Sequence, residues 1–350
     1  MTPDTKPSSP NPTTLTSLDK LLSQEAEQKI HPPLYRILTG EFKSRVDAVR
    51  VTVVDTKRVL SQEATEFIEN EWAKISESVK YPNDVRPSRV RLEDYDLTPD
   101  GITLSTSITI PYSHSLVIRN SSPEFLKNFG SVALARDLAV TGISTLEGGM
   151  LIGLTHRLKT DYKNKGWGAT VGGFVVGKLD DNGILQLGQK HIGQDGLPNP
   201  LTALFGETLG EFGSQPNEIN KLGFIGITTA PFQGEHPNLI YSWNTNLNRK
   251  QLAERKISKE VKRIAIPNKA DAVLTFVDRF AHAGVSASVA ALRQFGAISW
   301  GQSWRSRLDL IIETKNREYT DKKAYNQAEL RDIKSFQEEL VKQTLVVPID

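Results

Sequence analysis

Glu207 and Glu211 stand four residues apart in Pro200-Leu-Thr-Ala-Leu-Phe-Gly-Glu-Thr-Leu-Gly-Glu-Phe-Gly213, the stretch of this chain with the clearest chemical content. On a helix that spacing puts two carboxylates on one face, where they can share a divalent cation. The boundaries of such a helix are written into its flanks. Asn199 is a good N-cap, Pro200 suits the first helical position, and Gly213 can supply the left-handed residue that ends it. Leu201, Leu204, Phe205, Thr208, Leu209 and Phe212 recur at the spacing of a core-facing stripe, which leaves Glu207 and Glu211 at its edge. Gly206 and Gly210 fall on the opposite face, each costing the helix roughly 1 kcal/mol relative to Ala. Either something approaches that face closely or the helix is weak.

The elements that would position this helix flank it on both sides. From Ala139 to Arg157, two β-prone runs separated by a Gly-rich turn predict a hairpin. Gly166-Trp-Gly-Ala-Thr-Val-Gly-Gly-Phe-Val175 follows a polar loop. After the Glu helix, Lys221–Thr229 and Pro237–Asn244 predict two strands around the loop Ala230-Pro-Phe-Gln-Gly-Glu-His236.

This order of hairpin, basic residue, Gly-Trp segment, Gly-Gly and a helix carrying Glu-x-x-x-Glu resembles the Nudix hydrolases. Their signature is Gly-x5-Glu-x7-Arg-Glu-U-x-Glu-Glu-x-Gly-U, with U a bulky aliphatic residue. Its core falls on Gly206-Glu-Thr-Leu-Gly-Glu-Phe-Gly-Ser214, where Glu207, Glu211 and Gly213 agree. Gly206 replaces the Arg, Gly210 the first of the paired Glu, and Thr208 and Ser214 the two aliphatics; Pro198 stands in place of the upstream Glu. An insertion at about residues 174–199 separates the Gly-Gly pair from the helix, and its Asp180-Asp-Asn-Gly183 turn suggests an extra hairpin.

With a separate N-terminal domain in front, the pattern is similar to the branch that handles UDP-sugars. The resemblance implies an α/β/α sandwich with a mixed sheet, and Glu207 and Glu211 as catalytic ligands of Mg²⁺ or Mn²⁺. It further implies substrate contacts from Arg157, Trp167, Gly172, Gly173, Glu235 and His236. The chemistry would be attack of water on a phosphorus of a nucleoside diphosphate, promoted by the metal. Two other outcomes stand beside it. One is a degenerate, non-catalytic domain that binds a nucleotide or protein, favoured by Gly206, Gly210 and Ser214. The other is a structural interaction protein.

The 350 residues, 38% hydrophobic and 24% charged, are enough for two domains with real cores. A net charge of +2 gives no long-range attraction to nucleic acid, and no run of roughly 18 apolar residues offers a membrane span. Without cysteine there are no disulfides, thiolate metal sites or thiol nucleophile. Met1 to about Ser17 is Pro/Ser/Thr-rich and reads as a disordered tail rather than a signal peptide, so a cytoplasmic location is expected.

Residues 18–135 read as a small α+β domain. It comprises a helix from Leu18 to Ile30, a strand from Val46 to Asp55, a Ser61-capped helix burying Phe67, Ile68, Trp72 and Ile75, and a hairpin about Pro99-Asp-Gly101. A Nudix-like domain would span 136–315. Within it, Asn248–Arg263 is a local basic helix by composition, and Glu235 and His236 belong to what composition reads as a solvated loop. Ala270–Phe295 predicts two helices broken near Gly284, and Leu308–Glu313 a last strand. The charged helix of Asp321–Gln343 can cross onto the N-terminal domain or onto a second subunit, so a homodimer is an open arrangement.

Overall fold

The computed structural model describes residues 16–27, 34–39, 48–54, 60–78, 89–98, 101–122, 124–146, 151–158, 166–176, 191–231 and 234–350. The tail before Thr16 and the Asp180–Gly183 turn lie outside these residues, while Thr16 and Ser17 already belong to the first helical start.

In chain order the elements are α1 (Ser17–Glu27), β1 (Arg36–Ile37), β2 (Val49–Val53), α2 (Gln62–Ile75), β3 (Arg89–Thr98), β4 (Gly101–Ile110), α3 (Tyr112–Ser121) and α4 (Glu124–Phe129). They continue with β5 (Ala139–Leu146), β6 (Leu151–Arg157), β7 (Trp167–Gly168), β8 (Val171–Phe174), α5 (Pro200–Glu207), β9 (Ile219–Thr229) and β10 (Asn238–Thr245). The last are α6 (Arg249–Ala253), β11 (Val261–Pro267), α7 (Ala270–Phe280), α8 (Ser286–Asn316), α9 (Lys322–Lys342) and β12 (Val347–Pro348). None of the described helices is long and apolar enough to cross a membrane.

The fold is α+β. Among the described residues a nine-stranded mixed sheet runs β1-β9-β10-β5-β6-β11-β12, with β7 on β6 and β8 on β5, and β2-β4-β3 form a separate three-stranded sheet. In the large sheet β5 and β10 are parallel, Ala139 to Thr145 lying against Asn238 to Asn244. Alternation along the strands divides the core in two. Leu239, Tyr241 and Trp243 of β10 face Leu204 and Phe212 of the Glu segment. Ile240 faces the other way, with Ile152, Leu154 and Trp167, toward Phe276 and Val277 of α7 and Val289 and Leu292 of α8. The result is helices on both sides of one sheet. The first core continues without a break into the N-terminal elements through Ile68, Val90, Leu92, Leu104 and Val117. Backbone bonds tie β3 to the start of β5 as well, Leu138 N–H donating to Val90 O at 2.7 Å.

Two features of β5 and β6 create the site. They pair only from Ser144 to Leu146 against Leu151 to Gly153, and then diverge. The segment carrying β7 and β8 fills the gap, β8 on β5 and β7 on β6, so several glycines come together beneath α5.

Three local expectations change. Leu308–Glu313 is not a strand; it lies inside α8, where Leu308 and Ile312 are buried one helical turn apart and Leu310 is 64% exposed. The basic segment from Asn248 supplies only the short α6 before β11 begins at Val261. The Glu helix is not α-helical throughout, Thr208–Phe212 being a π turn.

Candidate functional site

Asn199 caps α5 as its side chain predicts, accepting from Leu201 N–H at 3.0 Å and Thr202 N–H at 3.1 Å, with Pro200 in the first turn. From Thr208 to Phe212 the backbone widens into a π turn, closed by Gly213 N–H donating to Thr208 O at 2.8 Å with Gly213 at φ +85°. Gly206 and Gly210 weaken the α register here, and the Thr208 hydroxyl bonds back to Leu204 O at 2.7 Å. The extra residue per turn keeps Thr208 and Phe212 in the core but rotates Leu209 outward to 46% exposure, against its expected place in the stripe.

Beneath the π turn the sheet is smooth. A Cβ on Gly173 would lie far inside contact distance of the Glu207 carboxylate, and one on Gly168 would come within 2.8 Å of Arg157 Nε. Side chains of the helix and of β6 therefore rest directly on backbone. Arg157 Nη1 donates to Glu211 Oε1, while Glu211 Oε2 accepts from Gly172 N–H at 3.1 Å. The side chains of both pair members are 13% exposed, so the ion pair is partly screened by solvent. The structure thus brings together Arg157, Gly172, Gly173, Glu207 and Glu211 from three elements.

A basic segment borders the same place. Ser258 N–H donates to Gly210 O at 2.7 Å, and Leu158 N–H donates to Glu260 O at 2.8 Å. Lys256 and Lys259, on either side of Ser258, are exposed. Composition marked this run as basic, but nothing in the sequence signalled that it lies against Gly210.

Three residues expected at the site are elsewhere. Trp167 is fully buried on the opposite face, its indole N–H donating to Phe280 O at 2.8 Å and its ring 4.7 Å from Phe276. Its backbone bonds to Ala283 O and to Val285 N–H fix the α7–α8 connection onto the sheet. Glu235 and His236 are not on a solvated loop: both are buried, and Glu235 is ion-paired with Arg36 of β1.

Around His236 the chain builds a second buried polar group. Arg89 donates to Asp137 Oδ2 at 2.7 Å and to Ser115 Oγ, and its guanidinium lies 3.7 Å from the Phe174 ring centre. His236 Nδ1 comes 4.0 Å from Asp137 Oδ2, and its ring meets Phe174 edge-on at 5.3 Å. Burial pushes the His236 imidazole down to about 4; Asp137 opposes this, and the cationic Arg119 and Arg89 add to it. At neutral pH the ring is therefore neutral, and its approach to Asp137 is a dipolar contact rather than an ion pair. Burial disfavours the charged Asp137 carboxylate, yet Arg89 beside it holds the group below the ordinary range.

The donor set at α5 can be compared with what Mg²⁺ needs. The cation takes oxygen ligands in near-octahedral geometry, and Glu211 already directs one oxygen to a guanidinium and the other to a backbone N–H. Residue 210 contributes no carboxylate, and no cluster of three or more His, Asp or Glu suited to a metal occurs among the described residues. With Arg157 in place, a Mg²⁺ ion at Glu211 would have to displace the guanidinium. No family model matches this sequence, and a search of curated proteins finds no relative.

Proposed function

We propose that this chain is a Nudix-like domain of the cytoplasm that binds a nucleotide-type diphosphate, a UDP-sugar being the first ligand to test, without hydrolysing it. The observation that carries this reading is the Arg157–Glu211 ion pair over Gly172, which puts a fixed cation where a metal would serve a hydrolase. The order of hairpin, glycine strand and acidic helix supports the family resemblance, as do the mixed sheet between helices and the parallel pairing of β5 with β10.

Recognition would use Arg157, whose planar guanidinium can exchange Glu211 for phosphate oxygens with little change of geometry. Two carboxylates alone would repel a diphosphate. Exposed Lys256 and Lys259, in the segment whose Ser258 bonds to Gly210, bring positive charge to the border of the site.

The test is titration calorimetry with UDP-glucose and ADP-ribose, with Mg²⁺ or with chelator, beside an assay for released phosphate compounds. Saturable binding that survives chelation, without turnover, is the expected result. Mg²⁺-dependent turnover would replace this reading with the hydrolase, and absence of binding would replace it with an interaction protein.

A further inference from the structure

On the sheet face turned away from α5, the parallel strands β5 and β10 finish side by side at Thr145 and Asn244. A cavity of about 270 Å³ opens there, between these strand ends, Asn268 ahead of α7, and the turn of α8 that carries Phe295 and Ile298. The carboxyl ends of parallel strands are a recurrent place for ligands in open sheets. Two independent observations give this cavity a chemical character.

The first is backbone geometry at Lys221. Ser242 of β10 lies opposite Gly223, and Asn244 opposite Asn220, so β9 carries an additional residue at this point. Within that bulge Lys221 takes φ +51°, a left-handed conformation that a side chain with a Cβ disfavours. Bulges and strained residues of this kind re-aim side chains and gather at binding sites. Lys221 lines the cavity and forms no ion pair with any described residue.

The second is an excess of hydrogen-bond donors. Asn244 Oδ1 accepts from the Thr145 hydroxyl at 2.7 Å, which leaves the NH₂ of its amide as the end available to a ligand. No Asp or Glu is among the described residues that line the cavity. The opposing wall, Phe295 and Ile298, is apolar.

We propose that this cavity binds a small molecule consisting of one ring and an acid group, either carboxylate or phosphate. The anion would meet the Lys221 ammonium and the Asn244 amide, while the ring packs on Phe295 and Ile298. The site is distinct from the Arg157–Glu211 cluster, shares no residue with it, and does not depend on that cluster's proposed role.

Phenyl phosphate and benzoate are suitable probes, with benzylamine as the cationic control, titrated into the full chain and followed by calorimetry and saturation-transfer NMR. Both acids should bind saturably, the tighter one identifying the preferred anion, and benzylamine should not. Lys221→Gly removes the ammonium at a position whose backbone suits glycine. It should leave the melting temperature unchanged or higher while weakening acid binding at least roughly tenfold. Ser299→Trp should fill the cavity and abolish binding, and Arg157→Gln should not alter it. The proposal is overturned if neither acid saturates by roughly 10 mM, if benzylamine binds equally well, or if Lys221→Gly leaves affinity unchanged. Should Ser299→Trp fail to fold, the Lys221→Gly comparison alone decides.

Discussion

Replacing Arg157 by Gln tests whether the guanidinium is what keeps a cation from the acidic pair. In the wild type Glu211 has two partners, Arg157 and the Gly172 N–H. The substitution leaves only the second. Breaking a fully buried ion pair costs about 3–5 kcal/mol, and an exposed pair contributes less than about 1 kcal/mol. At 13% exposure on both sides, a loss of about 2 kcal/mol is expected. That should lower Tm by a few degrees in chelated buffer. Glu211, over Gly172, then lacks its counter-charge. If Mg²⁺ binds there with a Kd of about 1 mM, about 10 mM of the ion returns roughly 1.4 kcal/mol, most of the loss. Differential scanning calorimetry with MgCl₂ or MnCl₂, against KCl at matched ionic strength, measures both effects. The wild type should show no divalent-specific shift, the variant a clear one, and Arg157→Gln with Glu211→Gln none. A wild-type shift as large as the variant's would refute the reasoning, because Arg157 would then not be blocking the pair.

Three further outcomes follow from the geometry. Gly173→Ala puts a methyl group against the Glu207 carboxylate and should cost about 1 kcal/mol in urea unfolding as that side chain swings away, whereas Gly172→Ala, with its Cβ 3.5 Å from the Arg157 guanidinium, should stay within about 0.5 kcal/mol; equal costs would contradict the close packing. His236, ordinarily near 6.5 and held to about 4 by burial, favours the neutral form in the fold. Its contribution is fully present above pH 6.5 and is lost as pH falls toward 4, so wild type should lose on the order of 3 kcal/mol relative to His236→Gln over that window, and parallel pH curves would disprove the burial effect. Gly301 interrupts α8 at φ +81° with nothing outside its own turn of backbone within 4 Å of where a Cβ would stand, so Gly301→Ala should cost about 1–3 kcal/mol from backbone strain alone, and a cost near zero would show that the helix simply straightens.

Much of the framework was legible because its signals are local. The Ser61 cap accepts from Ala64 N–H as its position predicts, and Asn199, Pro200 and Gly213 bound the Glu segment. The β3–β4 and β5–β6 pairings likewise follow from alternation around turn residues. The failures share a cause: they depend on partners distant in sequence. Leu308-Asp-Leu-Ile-Ile suits either element as a short apolar run, and only the core packed around Leu308 and Ile312 selects the helix. Glu235 and His236 sit among loop-like residues, but Arg36 and Arg89, far earlier in the chain, pair with Glu235 and with the Asp137 beside His236 and make a buried cluster of them. Trp167 adjoins the glycines of the site in sequence, yet strand alternation sends its ring to the opposite core.

The π turn shows how the same residues serve both readings of the acidic helix. Two glycines that weaken an α-helix let the chain widen after Glu207, and the widening seats Phe212 in the core while Glu211 reaches Arg157 and the Gly172 N–H. Gly210 then lies at the surface with its carbonyl taken by Ser258 N–H, between two exposed lysines. A Cβ at this position would meet nothing within 4 Å outside its own turn, so space alone does not exclude a carboxylate there. The missing acid, the guanidinium on Glu211 and the neighbouring basic segment are mutually consistent. Each puts a cation or bare backbone where the family pattern has an oxygen donor, which is the arrangement the proposed anion-binding role requires.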